Sequence, residues 1–282
     1  MPDLISKLQY KNYERGEFSH ECKRSLQETI QLIKDFPWET QRIHTDIQAT
    51  GPSVTVQNDR GEYLKVGLYF NDKYCLYLFD RYGHVLEFHT PDLDSVCRLV
   101  EDFYNGCLDA TKFEKQVFVV AGRGHFATND FIYKASVWRM LALSWPFIAY
   151  FLMFVYFLIL SPFEIAWIPA LFVLPIAWLL ARIFVRYLHY RKCFLQVSNA
   201  NNIFKFGIAP HIKTYDKRDI EKIISYMPGG NRNPNLFCVF EICFKSGEII
   251  KVSNLIISST TFLGKFEGIN FEDGKRNSLR VL

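Results

Sequence analysis

The sequence lacks the paired cysteine spacings of zinc sites, a secretory signal and a recognisable catalytic motif. Its seven cysteines stand at positions 22, 75, 97, 107, 193, 238 and 243. This odd number, behind a polar first twenty residues, predicts reduced thiols in a reducing compartment. Gly122-Arg123-Gly124-His125 lacks the length and the Lys-Ser/Thr pair of a phosphate loop, and we interpret it as a flexible connection. We therefore expect a protein that is not an enzyme and that uses no metal and no cofactor.

Few residues suggest a polar site. His84 and His89 are five positions apart in or beside a strand, so their side chains are expected on opposite faces, which argues against a metal site that uses both. Asp80-Arg81-Tyr82 falls in a hairpin turn, where an ordinary turn role is the simpler interpretation.

Charge is missing from two long segments. Met140–Leu160 contains no charged residue, and twelve of its residues are Leu, Ile, Phe or Val. Each of these contributes about −0.3 to −0.6 kcal/mol at the centre of a bilayer, which gives roughly −4 to −7 kcal/mol in all. A second apolar segment begins at Ile165 and runs through Ala181. We predict two transmembrane helices, over about residues 138–160 and 165–187. The alternative is a buried helical pair in a soluble protein.

The connection between the two helices contains no Lys or Arg. Only Ser161-Pro162-Phe163-Glu164 separates them, so they must form a tight antiparallel hairpin. Basic residues flank the other ends, and the positive-inside rule therefore places both termini in the cytoplasm. The expected membrane-interface anchors are Trp138, Arg139, Trp167, Arg182, Arg186, Arg191 and Lys192. No ionisable side chain lies at mid-membrane, which favours an anchor over a pore.

The soluble parts differ in charge. Residues 1–130 carry 20 acidic and 15 basic residues, a net of −5, whereas residues 182–282 carry 8 acidic and 16 basic residues, a net of +8. We expect three segments: an acidic domain over 1–130, the transmembrane hairpin over 131–190 and a basic β-rich domain over 191–282. The basic residues are scattered along a domain that is tied to a membrane. This pattern favours contact with membrane lipids over binding of nucleic acid.

The acidic domain is predicted to be α+β. A helical stripe covers Arg24–Phe36, and four strands follow over Ser53–Gln57, Tyr63–Phe70, Tyr74–Asp80 and His84–His89, with turn residues between them. Thr90 is predicted to cap a second helix that ends at Asn105-Gly106. The order predicts a meander sheet with helices packed on one face.

A resemblance rests on four motifs in this domain. Pro37-Trp38-Glu39, the stretch from Thr50 to Val56 and the stretch from Gly61 to Gly67, followed by Tyr74-Cys75-Leu76-Tyr77, resemble small Bacteroidetes-type proteins encoded beside antibacterial toxins. The likeness covers about residues 36–106. It implies an immunity role, a cognate toxin as partner and a location in the bacterial inner membrane.

The basic domain favours strands. They are predicted over Cys193–Ser198, Ile203–Phe206, Lys213–Tyr215, Ile223–Met227, Leu236–Phe244 and Glu248–Val252, with no obvious closing helix after Leu255. The run from Tyr215 to Ile223, which leads into a strand, resembles bacterial pleckstrin-homology-like (PH-like) domains that follow a transmembrane hairpin. This likeness covers about residues 193–257 and implies a PH-like fold.

Two functional hypotheses follow. The first is a non-enzymatic inner-membrane immunity protein that binds and neutralises a membrane-acting toxin, with the acidic domain steering a basic partner. The second is a membrane-anchored scaffold or sensor whose PH-like domain contacts lipids or other membrane proteins. Neither hypothesis specifies the oligomeric state.

Overall fold

The computed structural model describes residues 2–42, 51–115, 122–160, 162, 167–226 and 238–274. The chain divides into two compact units, Met1–Asp130 and Phe131–Leu282.

The first unit contains one antiparallel sheet in the order β2-β1-β3-β4-β5-β6-β7. Its strands are β1 (Leu4–Gln9), β2 (Ser19–Arg24), β3 (Ser53–Gln57), β4 (Tyr63–Leu68), β5 (Tyr74–Phe79), β6 (Val85–Thr90) and β7 (Glu114–Lys115). The predicted meander is present as β3–β6. No strand was predicted before Arg24, whereas β1 and β2 extend the sheet on that side. The pattern did not show β1 because three of its six residues, Ser6, Lys7 and Gln9, are polar and nonetheless buried.

Helices cover one face of this sheet. The helix α1 (Leu26–Asp35) begins at Ser25, which forms a capping box with Glu28, and the short α2 (Trp38–Arg42) follows Pro37. A third helix, α3 (Leu93–Tyr104), packs beside α1, and the Thr29 and Tyr104 hydroxyls lie 2.6 Å apart. Thr90 is not the cap of α3. It ends β6, and Asp92 caps the helix because its Oδ1 accepts the Ser95 N–H at 2.6 Å.

The opposite face of the sheet buries polar side chains. Lys65 is 1% exposed, and its ammonium donates to Gln9 Oε1 at 2.6 Å and to the His125 carbonyl at 3.1 Å. The pKa of Lys65 is lowered to about 7, mainly by burial and to a lesser extent by repulsion from the charge of Lys7. The interpretation of Gly122–His125 as a flexible connection was wrong. Residues Arg123–His125 form a short 3₁₀ turn in which His125 is buried.

The second unit is a sandwich of two four-stranded sheets, with two long helices. The first sheet has the order β11-β10-β9-β8 and the second the order β14-β13-β12-β15. In chain order the elements are β8 (Ile132–Lys134), α4 (Val137–Leu160), α5 (Trp167–Tyr190), β9 (Cys193–Gln196), β10 (Ile203–Ile208), β11 (His211–Asp216), β12 (Ile220–Tyr226), β13 (Val239–Phe244), β14 (Ile249–Ser253), α6 (Ser259–Lys265) and β15 (Phe271–Asp273). Both sheets contribute to a single core that includes Leu195, Phe204, Ile223 and Phe240.

The predicted rear strands are present as β9–β14, although the predicted ends at Met227 and at Leu236 lie outside the described residues. A closing helix, α6, was not predicted. It has only 7 residues, so it offers too few positions for a helical stripe to be recognised. Its N-cap is Ser258, and its Phe262 stacks on Phe240 of β13 with ring centroids 4.1 Å apart.

Candidate functional site

The two long helices connect neighbouring strands of one sheet. The strands β8 and β9 are antiparallel, with Tyr133 opposite Leu195 and Lys134 opposite Phe194. The chain therefore leaves the sheet after β8, passes through α4 and α5, and returns to the adjacent position in the sheet as β9. The helix pair occupies the place of a hairpin loop in the sandwich.

The helices run antiparallel, pack against each other and expose many large apolar side chains on their remaining surface. Phe154 stacks on Phe172 at 4.8 Å, and Met140 packs with Ile183, so the start of α4 lies beside the end of α5. Each helix has 24 residues, which corresponds to about 36 Å. The buried residues are Met140 and Ser144 in α4 and Pro169 and Ile183 in α5. Both helices are long and apolar enough to cross a membrane. Among the described residues, nothing covers them as the core of a soluble protein would.

The base of the helix pair is packed into the sandwich. Met140 of α4 and Ile183 of α5 form a buried cluster with Leu255, which follows β14. The Arg139 Nη1 group donates a hydrogen bond to the Ile256 carbonyl at 2.6 Å. These contacts join the base of the helix pair to the segment that leads into α6.

The predicted anchor residues lie at both ends of the helix pair. Trp138 is 77% exposed at the sandwich end, and Trp167 is 61% exposed at the opposite end. The Arg182 guanidinium lies 4.8 Å from the centre of the Trp178 ring. The remaining basic anchors stand at the sandwich end: Arg139, Arg186, Arg191 and Lys192. Their role as anchors stays a prediction.

A second apolar element lies at this end of the sandwich, and the sequence analysis missed it. In the β9–β10 pair Ile208 lies opposite Cys193. Cys193 comes three residues after the end of α5, so the turn between β10 and β11 lies at the level of the helix base. Ile208 and Ile212 are each 40% exposed, and Ala209 and Pro210 between them are exposed as well. We call residues 208–212 the hairpin tip. Gly207 is required beside it because a Cβ there would collide with the His211 carbonyl oxygen.

Basic side chains accompany the hairpin tip. Lys134 and Lys205 are exposed on β8 and β10, and Arg191 and Lys192 are exposed just before β9. Within the described part of the chain, none of these four residues forms an ion pair. Because an exposed apolar tip and unpaired cations lie beside the helix base, this end of the unit suits contact with anionic headgroups.

The histidines singled out in the sequence do not form a joint site. His84 lies in the turn between β5 and β6, where its Nδ1 is 3.0 Å from Asp80 Oδ2. Asp80 Oδ1 accepts the backbone N–H groups of Tyr82 and His84, so Asp80 has the turn role that was expected. His89 lies further along β6 and contacts the Tyr69 ring.

One comparison with known proteins gives a match, and it lies within the second unit. Residues 132–265 match the family model described as PH domain. This region begins in β8, includes both long helices and ends with α6. The PH-like fold expected for the rear of the chain is confirmed. No curated protein and no solved structure matches the chain. The resemblance of residues 36–106 to proteins encoded beside toxins has no support from these comparisons.

Proposed function

We propose that this protein is an integral membrane protein in which a PH-like unit is held at the lipid surface by its own helix pair. One observation carries the proposal: two 24-residue helices connect adjacent strands of the sandwich and expose many large apolar side chains along their length. Soluble monomeric proteins rarely expose large contiguous apolar surface, whereas about 30 Å of hydrocarbon would cover both helices.

The proposed orientation places both termini in the cytoplasm. The sandwich end of the helices carries Arg139, Arg182, Arg186, Arg191 and Lys192, while the connection at 161–166 has no basic residue. An excess of Lys and Arg next to the membrane is retained on the cytoplasmic side. A bacterial inner membrane is the location we infer.

The proposed activity is binding, as a membrane scaffold or sensor. The hairpin tip would enter the headgroup region while Lys134 and Lys205 attract anionic lipid, at about 1 kcal/mol for each basic residue. The Arg139–Ile256 hydrogen bond and the Met140–Ile183–Leu255 cluster would keep the sandwich in a fixed position on its helices. The acidic first unit would then be available at the membrane for a partner protein.

Toxin immunity stays a prediction. It rests on the resemblance of the first unit, the lack of a recognisable catalytic motif and the membrane hairpin, and no described contact favours it over the scaffold. Protection of sensitive cells by the intact protein against a toxin encoded beside it would restore that hypothesis to first place.

Photo-crosslinking tests the lipid contact. A benzoylphenylalanine introduced at Ile208, in the full chain reconstituted with radiolabelled phosphatidylglycerol, should form lipid adducts because the hairpin tip lies at the helix base. The matched control is Asn201, an exposed residue before the other end of β10, about 20 Å away along the strand. We expect several-fold more adduct at 208 than at 201. Equal yields at the two positions would contradict lipid contact by the hairpin tip.

A further inference from the structure

Three potential metal ligands converge on the polar face of the first sheet. Cys75 lies on β5, and Glu87 and His89 lie on β6, with Cys75 directly opposite His89 and Tyr77 opposite Glu87. Alternate residues of a strand point to the same face, so all three ligand side chains project from one side of the hairpin. This face is opposite the one that α1 and α3 cover.

The distances between the ligand atoms suit a metal ion. The Cys75 sulfur, a Glu87 carboxylate oxygen and a His89 ring nitrogen all lie within 4.8 Å of one another. Tetrahedral zinc, with bonds of about 2.0 to 2.3 Å, holds its ligand atoms roughly 3 to 4 Å apart. Small side-chain rotations would therefore close the three atoms around an ion without movement of the strands.

One polar atom of this cluster is unsatisfied. His89 Nε2 is buried and has no hydrogen-bond partner within the described part of the chain. The His89 ring also packs on Tyr69, with centroids 4.1 Å apart, which restricts its orientation. A buried imidazole nitrogen without a partner is unfavourable, and a metal ion is one ligand that would satisfy it.

We propose that Cys75, Glu87 and His89 form a site for a transition-metal ion of the zinc class. Thiolate and imidazole ligands favour zinc and its neighbours, whereas magnesium and calcium require oxygen ligands. Three protein ligands leave the fourth tetrahedral position for water. Tyr77, two residues from Cys75 on the same face of β5, would orient the sulfur.

Metal binding must remove the thiol proton. Burial raises the pKa of Cys75 to about 12, so the thiol is protonated at neutral pH before an ion arrives. The ion forms a bond with sulfur as the S–H bond breaks, and the proton leaves to solvent. This site is independent of the membrane proposal.

Cobalt substitution tests the site in the full chain. The reduced protein in detergent is stripped with a chelator and titrated with Co²⁺, and the near-ultraviolet charge-transfer absorption from thiolate to cobalt is recorded. We expect one cobalt per chain with this absorption, and we expect Zn²⁺ to abolish it by displacement. Cys75→Ser should remove the absorption, and His89→Gln should weaken Co²⁺ binding at least tenfold.

Two matched variants control for other ligands. Cys97→Ser changes another buried cysteine, on α3 at the opposite face, and His84→Gln changes the exposed histidine of the same hairpin. Both should retain the absorption. Glu87→Gln keeps the thiol and should alter the visible cobalt spectrum without loss of the charge-transfer band. Absence of that band in the wild-type protein, or its persistence in Cys75→Ser, would overturn the proposal.

Discussion

Removal of the helix pair should convert a protein that requires detergent into one that stays in aqueous solution. The register of β8 and β9 continues to a pair between Ala135 and Cys193, so Ser136–Lys192 can be replaced by Asn-Gly, which favours a two-residue hairpin turn. Because the two strands are already neighbours, the sandwich should keep its sheets. The shortened chain loses the apolar surface that we assign to the bilayer.

The measurement is fractionation of cells that express each protein. The full chain should remain with the membranes after high-salt and alkaline washes, and the shortened chain should appear in the soluble fraction with a β-rich circular dichroism spectrum. Leu255→Ala in the full chain is the control, since it weakens the packing at the helix base but should leave the protein in the membrane. A shortened chain that resisted both washes would contradict the anchoring role of the helices.

Replacement of Lys65 by Met should change how the stability of the first unit depends on pH. The pKa of Lys65 is lowered from 10.5 to about 7, so between these values the unfolded chain holds a proton that the folded chain does not. Unfolding then takes up protons, and the free energy of unfolding rises with pH by up to about 1.4 kcal/mol per unit. Below pH 7 both states are protonated, so this contribution is constant there. Lys65→Met removes it.

Lys7 titrates in the same pH range, because burial lowers its pKa to about 8, and its contribution to the pH dependence remains in Lys65→Met. Burial also raises the pKa of the Cys75 and Cys97 thiols, which lowers stability as pH rises past the ordinary cysteine range, but both proteins share this effect. Between pH 7 and 9 the wild type should gain roughly 2 kcal/mol relative to Lys65→Met. Urea unfolding of Met1–Asp130 can be followed by Trp38, the one tryptophan in that unit.

The exposed Lys73→Met variant is the control, and it should retain the wild-type dependence on pH. If Lys65→Met showed the same dependence as the wild type, Lys65 would not be the buried group that titrates near neutrality.

Apolar periodicity predicted most of the fold. The strands β3–β6 and β9–β14 were found because their branched and aromatic residues are bounded by turn residues. The helices α4 and α5 were found because they contain long charge-free segments. By contrast, β1 was missed because it buries Lys7 and Gln9, and burial of such residues depends on partners distant in sequence, such as Thr128 for Lys7.

Neither the Cys75–Glu87–His89 cluster nor the hairpin tip was predicted from the sequence. Both depend on which residues of neighbouring strands are paired, and composition does not reveal this. His84 and His89 were predicted not to share a metal site. The relevant partner of His89 is Cys75, on the opposite strand of the hairpin. If β5 and β6 are paired symmetrically about the turn from Asp80 to His84, Cys75 falls opposite His89. The hairpin tip was missed in the same way, because Ile208 and Ile212 become significant only once Ile208 is paired with Cys193 at the helix base.

The topology of the helix pair is the most direct test of the account. A reporter that fluoresces only in the cytoplasm should be active when fused before Met1 or after Leu282, because the basic helix ends retain both termini on that side. The same reporter inserted at Ser161–Phe163 should be inactive. Opposite activities for the two terminal fusions would contradict the hairpin, and activity at all three positions would show that the helices do not cross the membrane.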